Sequence, residues 1–250
     1  MNLVLAENYE ELSRIGAGIV SDLIAAKPDA VIVPATGNTP MGLYRLLGTE
    51  HERGTLDASR VRVFQLDEYL GVPPGDGRSL YGWMLRSFIE PLGIPGENVV
   101  SLPWQESEVA AGCAAYDRAL EAAGGFDLAL LGLGPNGHVG FNEPPSSPES
   151  PTRAVDLTEE SITSSATYWG GRDTVPRRAV TAGMGSLLAA RHIVLLASGE
   201  HKRDILQRAL TGPMTPDVPA SYLRLSPNFT LLADRAAWPG GETENVRRET

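Results

Sequence analysis

"FDLALLGLGPNGHVGFNEP", residues 126–144, sets a continuous apolar run against a loop that cannot be a regular helix. Like the continuous β-branched run at 30–35, which reads as a strand covered on both faces, residues 126–134 read as a buried strand. The chain then places His138 and Glu143 among Gly134, Gly137 and Gly140. Glycine opens backbone conformations closed to other residues, so this loop is shaped to hold side chains rather than to extend a helix. Histidine is the side chain best matched to proton transfer near neutral pH, and a carboxylate five residues on can fix its tautomer.

The rest of the chain repeats the pattern. Strand-like segments at 2–6, 30–35, 60–66, near 98–103, and at 126–134, 191–198 and 229–234 alternate with helix-like segments at 8–26, 39–54, 79–92, 106–124, 158–169 and 199–212. In the first helix the large apolar residues Leu12, Ile15, Ile19 and Leu23 mark the expected buried face. Alternation of strands with helices of this length predicts an α/β protein: a Rossmann-like three-layer αβα arrangement around a mainly parallel central sheet. The whole of 1–250 reads as one domain, with a loose polar tail from 238 to 250.

Composition narrows the function classes. The chain has 250 residues, 42% hydrophobic and 21% charged, and a net charge of -10, which disfavours nucleic acid or an anionic membrane as partner. No apolar run reaches the length of a membrane span, and the first residues lack the basic start of a signal peptide, so a cytoplasmic location is expected. Cys113 is the single cysteine, in a helical stretch, and reads as a buried thiol. No Cys/His cluster suggests a metal, and no nucleotide fingerprint suggests an organic cofactor.

In open α/β sheets, ligands bind outside the carboxyl ends of the strands. Four polar clusters fall at such ends. "ATGNTPMG" (35–42) offers Thr36, Gly37, Asn38 and Thr39 at a helix start, suited to a phosphate, although an ordinary capped turn reads equally well. "QLDEYLG" (65–71) places Asp67 beside Glu68, where mutual repulsion and burial would raise one pKa; taken alone, a solvated acidic turn is the plainer reading. The third is the 134–144 loop. The fourth, "SGEHKRD" (198–204), puts Lys202 in the first turn of a helix, an unfavourable site for a cation unless an anion is bound there. Convergence of all four on one rim is a stronger signal than any one of them.

Together "TGNTPMGLY", "LDEYLG", "GLGPNGHVGFNEP", "VPRRAVTAGMGSLL" and "SGEHK" resemble the glucosamine-6-phosphate deaminase/isomerase family, in order, from about residue 2 to residue 234. The resemblance implies conversion of glucosamine 6-phosphate and water to fructose 6-phosphate and ammonia, without metal or organic cofactor. It assigns Asp67 as the base moving a proton between C2 and C1, and His138 as the ring-opening group with Glu143 its partner. Asn136 joins this catalytic set. Thr36, Gly37, Asn38, Thr39, Glu68, Gly137 and Lys202 are assigned to substrate binding, with Lys202 on the phosphate. It also implies that about 153–182 forms a mobile lid. The only partner implied is a small amino-sugar phosphate; the oligomeric state is left open.

Departures from the family pattern define the alternatives. Asn136 stands where some members carry aspartate, and Leu80 where tyrosine is common. Thr167 stands where a second phosphate-binding arginine is usual, leaving Arg172, Arg177 or Arg178 to supply charge from the same segment. Arg153 matches the basic residue of the family's allosteric site, but Val155 stands in place of a lysine. The alternatives are a 6-phosphogluconolactonase-like hydrolase, against which Tyr69 and "GFNEP" argue, or a deaminase/isomerase for an amino sugar differing at C6 or C4.

Overall fold

The structure is a computed structural model and describes residues 1–240. Seven strands form an all-parallel sheet: β1 (Asn2–Ala6), β2 (Val31–Pro34), β3 (Arg62–Phe64), β5 (Val99–Val100), β6 (Leu128–Gly132), β9 (His192–Ala197) and β10 (Phe229–Asp234), in the order β1-β10-β9-β6-β2-β3-β5. The apolar runs read from sequence as doubly covered strands are just that. Val31 and Val33 of β2 face one core, with Cys113, Tyr116 and Leu120 of α4 (Val109–Ala122) and Ile205, Leu206 and Ala209 of α7 (Arg203–Thr211). Ile32 faces the other, with α1 (Tyr9–Ala26) and α2 (Met41–Glu52). Period-two alternation of side chains along each strand supplies both cores at once, and the result is the expected αβα sandwich. No helix among the described residues is long and apolar enough to cross a membrane.

The buried face of α1 differs from the one marked by its large residues. Leu12, Ser13, Gly16, Ala17, Val20 and Ile24 are buried, whereas Ile15, Ile19 and Leu23 are only partly covered. Small residues decide the seam because they let α2 approach: a Cβ at Gly16 would sit 2.5 Å from Leu43 Cδ1. The helix read over 79–92 is present but changes pitch. It is α-helical over α3 (Leu80–Met84) and continues as a π-helix over Leu85–Ile89.

A second sheet, not expected from the sequence pattern, lies beside the first. β4 (Asp67–Tyr69), β8 (Arg178–Thr181) and β7 (Arg153–Asp156) form an antiparallel trio in the order β4-β8-β7. The segment read as one strand from residue 60 in fact serves both sheets. Gln65 N–H still bonds Val100 O at the edge of the parallel sheet, while Leu66 O accepts from Ala182 N–H beside the second sheet. The switch is held by the buried Gln65 side chain, which donates to Asp67 O and Glu68 Oε2 and accepts from Leu102 N–H. Asp67 is therefore the first residue of a strand rather than the last. The 153–182 segment consists of β7, α5 (Glu159–Trp169) and β8, with a small core of its own that includes Tyr69, Phe141, Ile162 and Trp169. A short helix, α6 (Met184–Leu188), follows.

Trp238, expected to open a loose tail, packs against the main core, and its N–H bonds Asp234 O. Residues 241–250 of that expected tail lie outside the described residues.

Candidate active site

A cleft of about 340 Å³ opens at the carboxyl ends of β2, β3 and β6, with α5 forming one wall. Thr36, Gly37, Asn38, Thr39, Asp67, His138 and Lys202 all line it, so the four clusters do converge. The β2–α2 loop is seated from below: the Tyr9 hydroxyl donates to Asn38 O and accepts from Gly42 N–H. Gly37 takes φ +97°, which a side chain would disfavour.

Asp67 is 5% exposed, and its carboxylate accepts a 3.3 Å hydrogen bond from Thr36 Oγ1. Burial, and then the neighbouring Glu68 charge, push its pKa up to about 7, against a lowering by Thr36. A carboxyl poised near neutrality in a cleft is suited to accept and return a proton.

Glu68 does not line the cleft and is not placed to meet a substrate. It is turned inward, where it accepts from the N–H groups of Tyr69, Leu80 and Tyr81 and from Gln65 Nε2, at 2.8–3.0 Å. Two of those donors belong to the first turn of α3, whose free N–H groups need acceptors. Glu68 is thus a clamp between β4 and α3. Burial still raises its pKa, opposed by these hydrogen bonds.

His138 lies so close to Gly134 that a Cβ there would be 2.2 Å from the imidazole. Its Nδ1 is 3.4 Å from Glu143 Oε2 and 3.2 Å from Ser161 Oγ, which leaves Nε2 as the nitrogen free to act in the cleft. Glu143 Oε2 also accepts from Asn136 Nδ2 at 2.7 Å and Thr158 Oγ1 at 3.0 Å. Burial alone would raise the Glu143 pKa. The His138 hydrogen bond and charge, with Ser161 and Asn136, overturn that and hold it at about 2. The group is therefore a permanent carboxylate that orients the imidazole.

Asn136 and Gly137 do not line the cleft. Asn136 supports from behind: besides Glu143 it bonds Thr158 Oγ1 and accepts from His138 N–H. Gly137, at φ +91°, packs its backbone on Val218, where a Cβ would approach within 2.7 Å. Both shape the loop that carries His138.

Lys202 Nζ donates to Leu133 O at 2.7 Å, and burial lowers its pKa. The turn that carries it is tied down by Asp234, which accepts from Ser198 Oγ and Gly199 N–H. The arginines of the 153–182 segment are engaged elsewhere. Arg172 and Arg177 pair with Glu159, Arg178 pairs with Glu106 and Asp156, and none lines the cleft. Arg153 is occupied internally by Asn142 Oδ1 and Ser146 Oγ, both at 2.8 Å.

Several further residues line or support the cleft without a local sequence signal for that role. Tyr69, Phe141, Tyr168, Trp169 and Arg78 line the cleft, Arg78 stacking 4.5 Å over Trp169 while paired with Asp76. Ser161 and Thr158 complete the His138–Glu143 cluster. Thr158 is legible as a helix N-cap, and it does accept from Ser161 N–H, but nothing local shows that the same hydroxyl reaches Glu143.

Residues 6–231 match the family described as glucosamine-6-phosphate isomerases/6-phosphogluconolactonase. The chain is 40% identical over 237 residues to a glucosamine-6-phosphate deaminase of Thermoanaerobacter pseudethanolicus, covering 95% of this chain and 94% of that one. It is 40% identical over 239 residues to glucosamine-6-phosphate deaminase 2 of Bacillus subtilis, covering 95% and 96%. Among solved structures, a monomeric glucosamine-6-phosphate deaminase superposes with a TM-score of 0.92 at 37% identity, covering 95% and 98%. A 6-phosphogluconolactonase from Trypanosoma brucei shares the fold, with a TM-score of 0.77 at 22% identity over 94% and 97%.

Proposed function

The chain belongs to the glucosamine-6-phosphate isomerase/6-phosphogluconolactonase family, and from that premise we propose that it converts glucosamine 6-phosphate and water to fructose 6-phosphate and ammonia. The observation that carries this reading is the buried Asp67 carboxyl, poised at about 7 in the same cleft as His138 and Lys202. That arrangement suits proton movement on a carbon acid.

In the proposed sequence, His138 Nε2 moves the proton between the C1 hydroxyl and the ring oxygen, and the sugar opens to its aldehyde. Glu143 holds the imidazole and offsets its charge when protonated. Asp67 takes the C2 proton, whose acidity comes from the adjacent aldehyde, while the aldehyde oxygen gains a proton from the substrate's own ammonium, leaving a neutral C1–C2 enolamine. It returns the proton to C1, giving an iminium at C2. Water adds to C2, the C–N bond breaks, and ammonia leaves with the ketose. Lys202 and the 36–39 loop hold the phosphate end through a cation and helix-start N–H groups. The 153–182 segment acts as the lid. Because a sugar phosphate does not cross a bilayer unaided, the site of action is the cytoplasm, and a small anionic sugar is the only partner required.

The test is ammonia release from glucosamine, galactosamine and their 6-phosphates, with 6-phosphogluconolactone hydrolysis in parallel. Release from glucosamine 6-phosphate is expected. Lactone turnover without ammonia release from any amino sugar would overturn the reading.

A further inference from the structure

With an amino-sugar 6-phosphate as substrate, the only cation among the described residues that lines the cleft against α5 is Arg78, stacked on Trp169 and already paired with Asp76, and α5 itself supplies none. Thr167 is exposed and does not line the cleft, and Arg172, Arg177 and Arg178 are held in ion pairs away from it. Of the α5 residues that line the cleft, Ser164, Ser165, Tyr168 and Trp169, Tyr168 is the one hydrogen-bonded to the 36–39 loop. Its hydroxyl lies 2.7 Å from Asn38 Nδ2, across 130 residues of sequence, so it reaches the loop that offers its N–H groups to the anion. Asn38 is the donor in that contact. The phenolic oxygen accepts, and its own hydrogen has no acceptor among the described residues. The ring is not loose: it meets Trp83 edge-on, with centroids 5.7 Å apart, and both residues line the cleft.

We propose that Tyr168 is a specificity-determining residue that donates its phenolic hydrogen to the substrate's phosphate, completing from α5 the subsite formed by Lys202 and the 36–39 loop. The proposal rests on the deaminase reading above and adds what that reading lacks, a group on α5 that recognises the anion. A neutral donor to an ionised acceptor is a charge-assisted hydrogen bond, so its removal is felt mainly by a charged ligand. Because Asn38 bonds the same oxygen, the phosphate would be met by an already oriented hydroxyl rather than by a free rotor.

Tyr168→Phe removes only the hydroxyl and keeps the edge contact with Trp83. Two measurements read it out: KM and kcat for glucosamine 6-phosphate and for glucosamine, and the calorimetric Kd of inorganic phosphate. The expected result is a rise of about tenfold in KM for the phosphorylated sugar and in the phosphate Kd, with kcat within about threefold of wild type. The preference for the phosphorylated over the unphosphorylated sugar should fall by the same factor. An unchanged phosphate Kd overturns the proposal, as does an equal loss on both sugars, which would mean that the hydroxyl only seats α5. Arg78→Gln is the comparator: if it alone shifts the phosphate Kd, the guanidinium holds the anion and Tyr168 does not. Should wild-type protein release no ammonia from glucosamine 6-phosphate, the deaminase reading fails, while the phosphate Kd of the two variants still decides the role of Tyr168.

Discussion

Thr36 Oγ1 donates to Asp67 Oδ1 at 3.3 Å, tying the loop after β2 to the start of β4 across the mouth of the cleft. The bond stabilises the ionised form of a carboxyl whose burial opposes ionisation, so it tunes the proposed base. The base acts as carboxylate, and kcat/KM should therefore rise with pH through about 7. Thr36→Val should move that acid limb to higher pH. A pH–rate profile checks this, and an unmoved limb would assign the limb to another group.

Glu68→Gln should move the same limb the other way. The Glu68 charge raises the Asp67 pKa, and removing it should lower the limb. The substitution also replaces one acceptor of the α3 clamp with a donor facing N–H groups, at a cost of about 1–3 kcal/mol of stability. Paired pH profiles of Thr36→Val and Glu68→Gln, with denaturant melts of each, test both statements. A shift of the same sign in both would contradict them.

Asp67→Asn should cut turnover by about 10²-fold or more, because the amide cannot take the proton. It should also stabilise the protein in alkali. The folded-state pKa of about 7 lies above the 3.8 of an unperturbed group, so the folded protein holds a proton that the unfolded chain releases. The stability this lends is fully present below the unfolded value and is lost as pH rises through about 7. Asparagine removes that penalty, at most about 4 kcal/mol. Melting temperatures at pH 4 and pH 8 are the check: the variant should gain on wild type only at the higher pH.

How legible the protein was follows from where its information lies. The β2, β6, β9 and β10 strands announce themselves because both faces are buried and the apolar runs are unbroken. β7 and β8 do not: "RAVD" and "RAVT" each begin with a paired arginine, and β8 pairs with β4, far away in sequence, while β7 pairs with β8. The convergence of Asp67, His138 and Lys202 follows from the strand-end rule. The inward turn of Glu68 does not, because it depends on α3 N–H groups more than ten residues on. Likewise Asn136 reads as a catalytic neighbour of His138, yet it meets only the His138 backbone N–H, and its other partners are Glu143 and the cap of α5.

His138 and Glu143 should behave as one unit. Glu143 is held at about 2 chiefly by its imidazole partner against burial, so each residue depends on the other. His138→Gln and Glu143→Gln should each remove most of the ring-opening rate, and the double variant should lose little more. Mutarotation-independent assays with the open-chain form enriched would isolate that step. Fully additive losses in the cycle would mean that the two serve different steps.

Lys202 and Asp234 give the last prediction. Lys202 sits at the start of α7, where a cation is unfavourable, and its ammonium reaches Leu133 O through a half-buried path. Its aim depends on the turn before it, in which Gly199 takes φ +90° and both Asp234 oxygens accept its N–H. Asp234 also accepts from Ser198 Oγ and Ala237 N–H, so one buried carboxylate holds the whole β9–α7 corner. Lys202→Ala should raise KM for the phosphorylated sugar by about 10- to 100-fold, the range for a charged hydrogen-bonding group. Asp234→Asn should raise KM in the same direction but less, because asparagine keeps one acceptor and loses the other. The two together should be no worse than Lys202→Ala alone if Asp234 acts by positioning the lysine. Additive losses in KM would show that Asp234 serves stability instead, and that would register as a lowered melting temperature rather than as a change specific to the phosphorylated sugar.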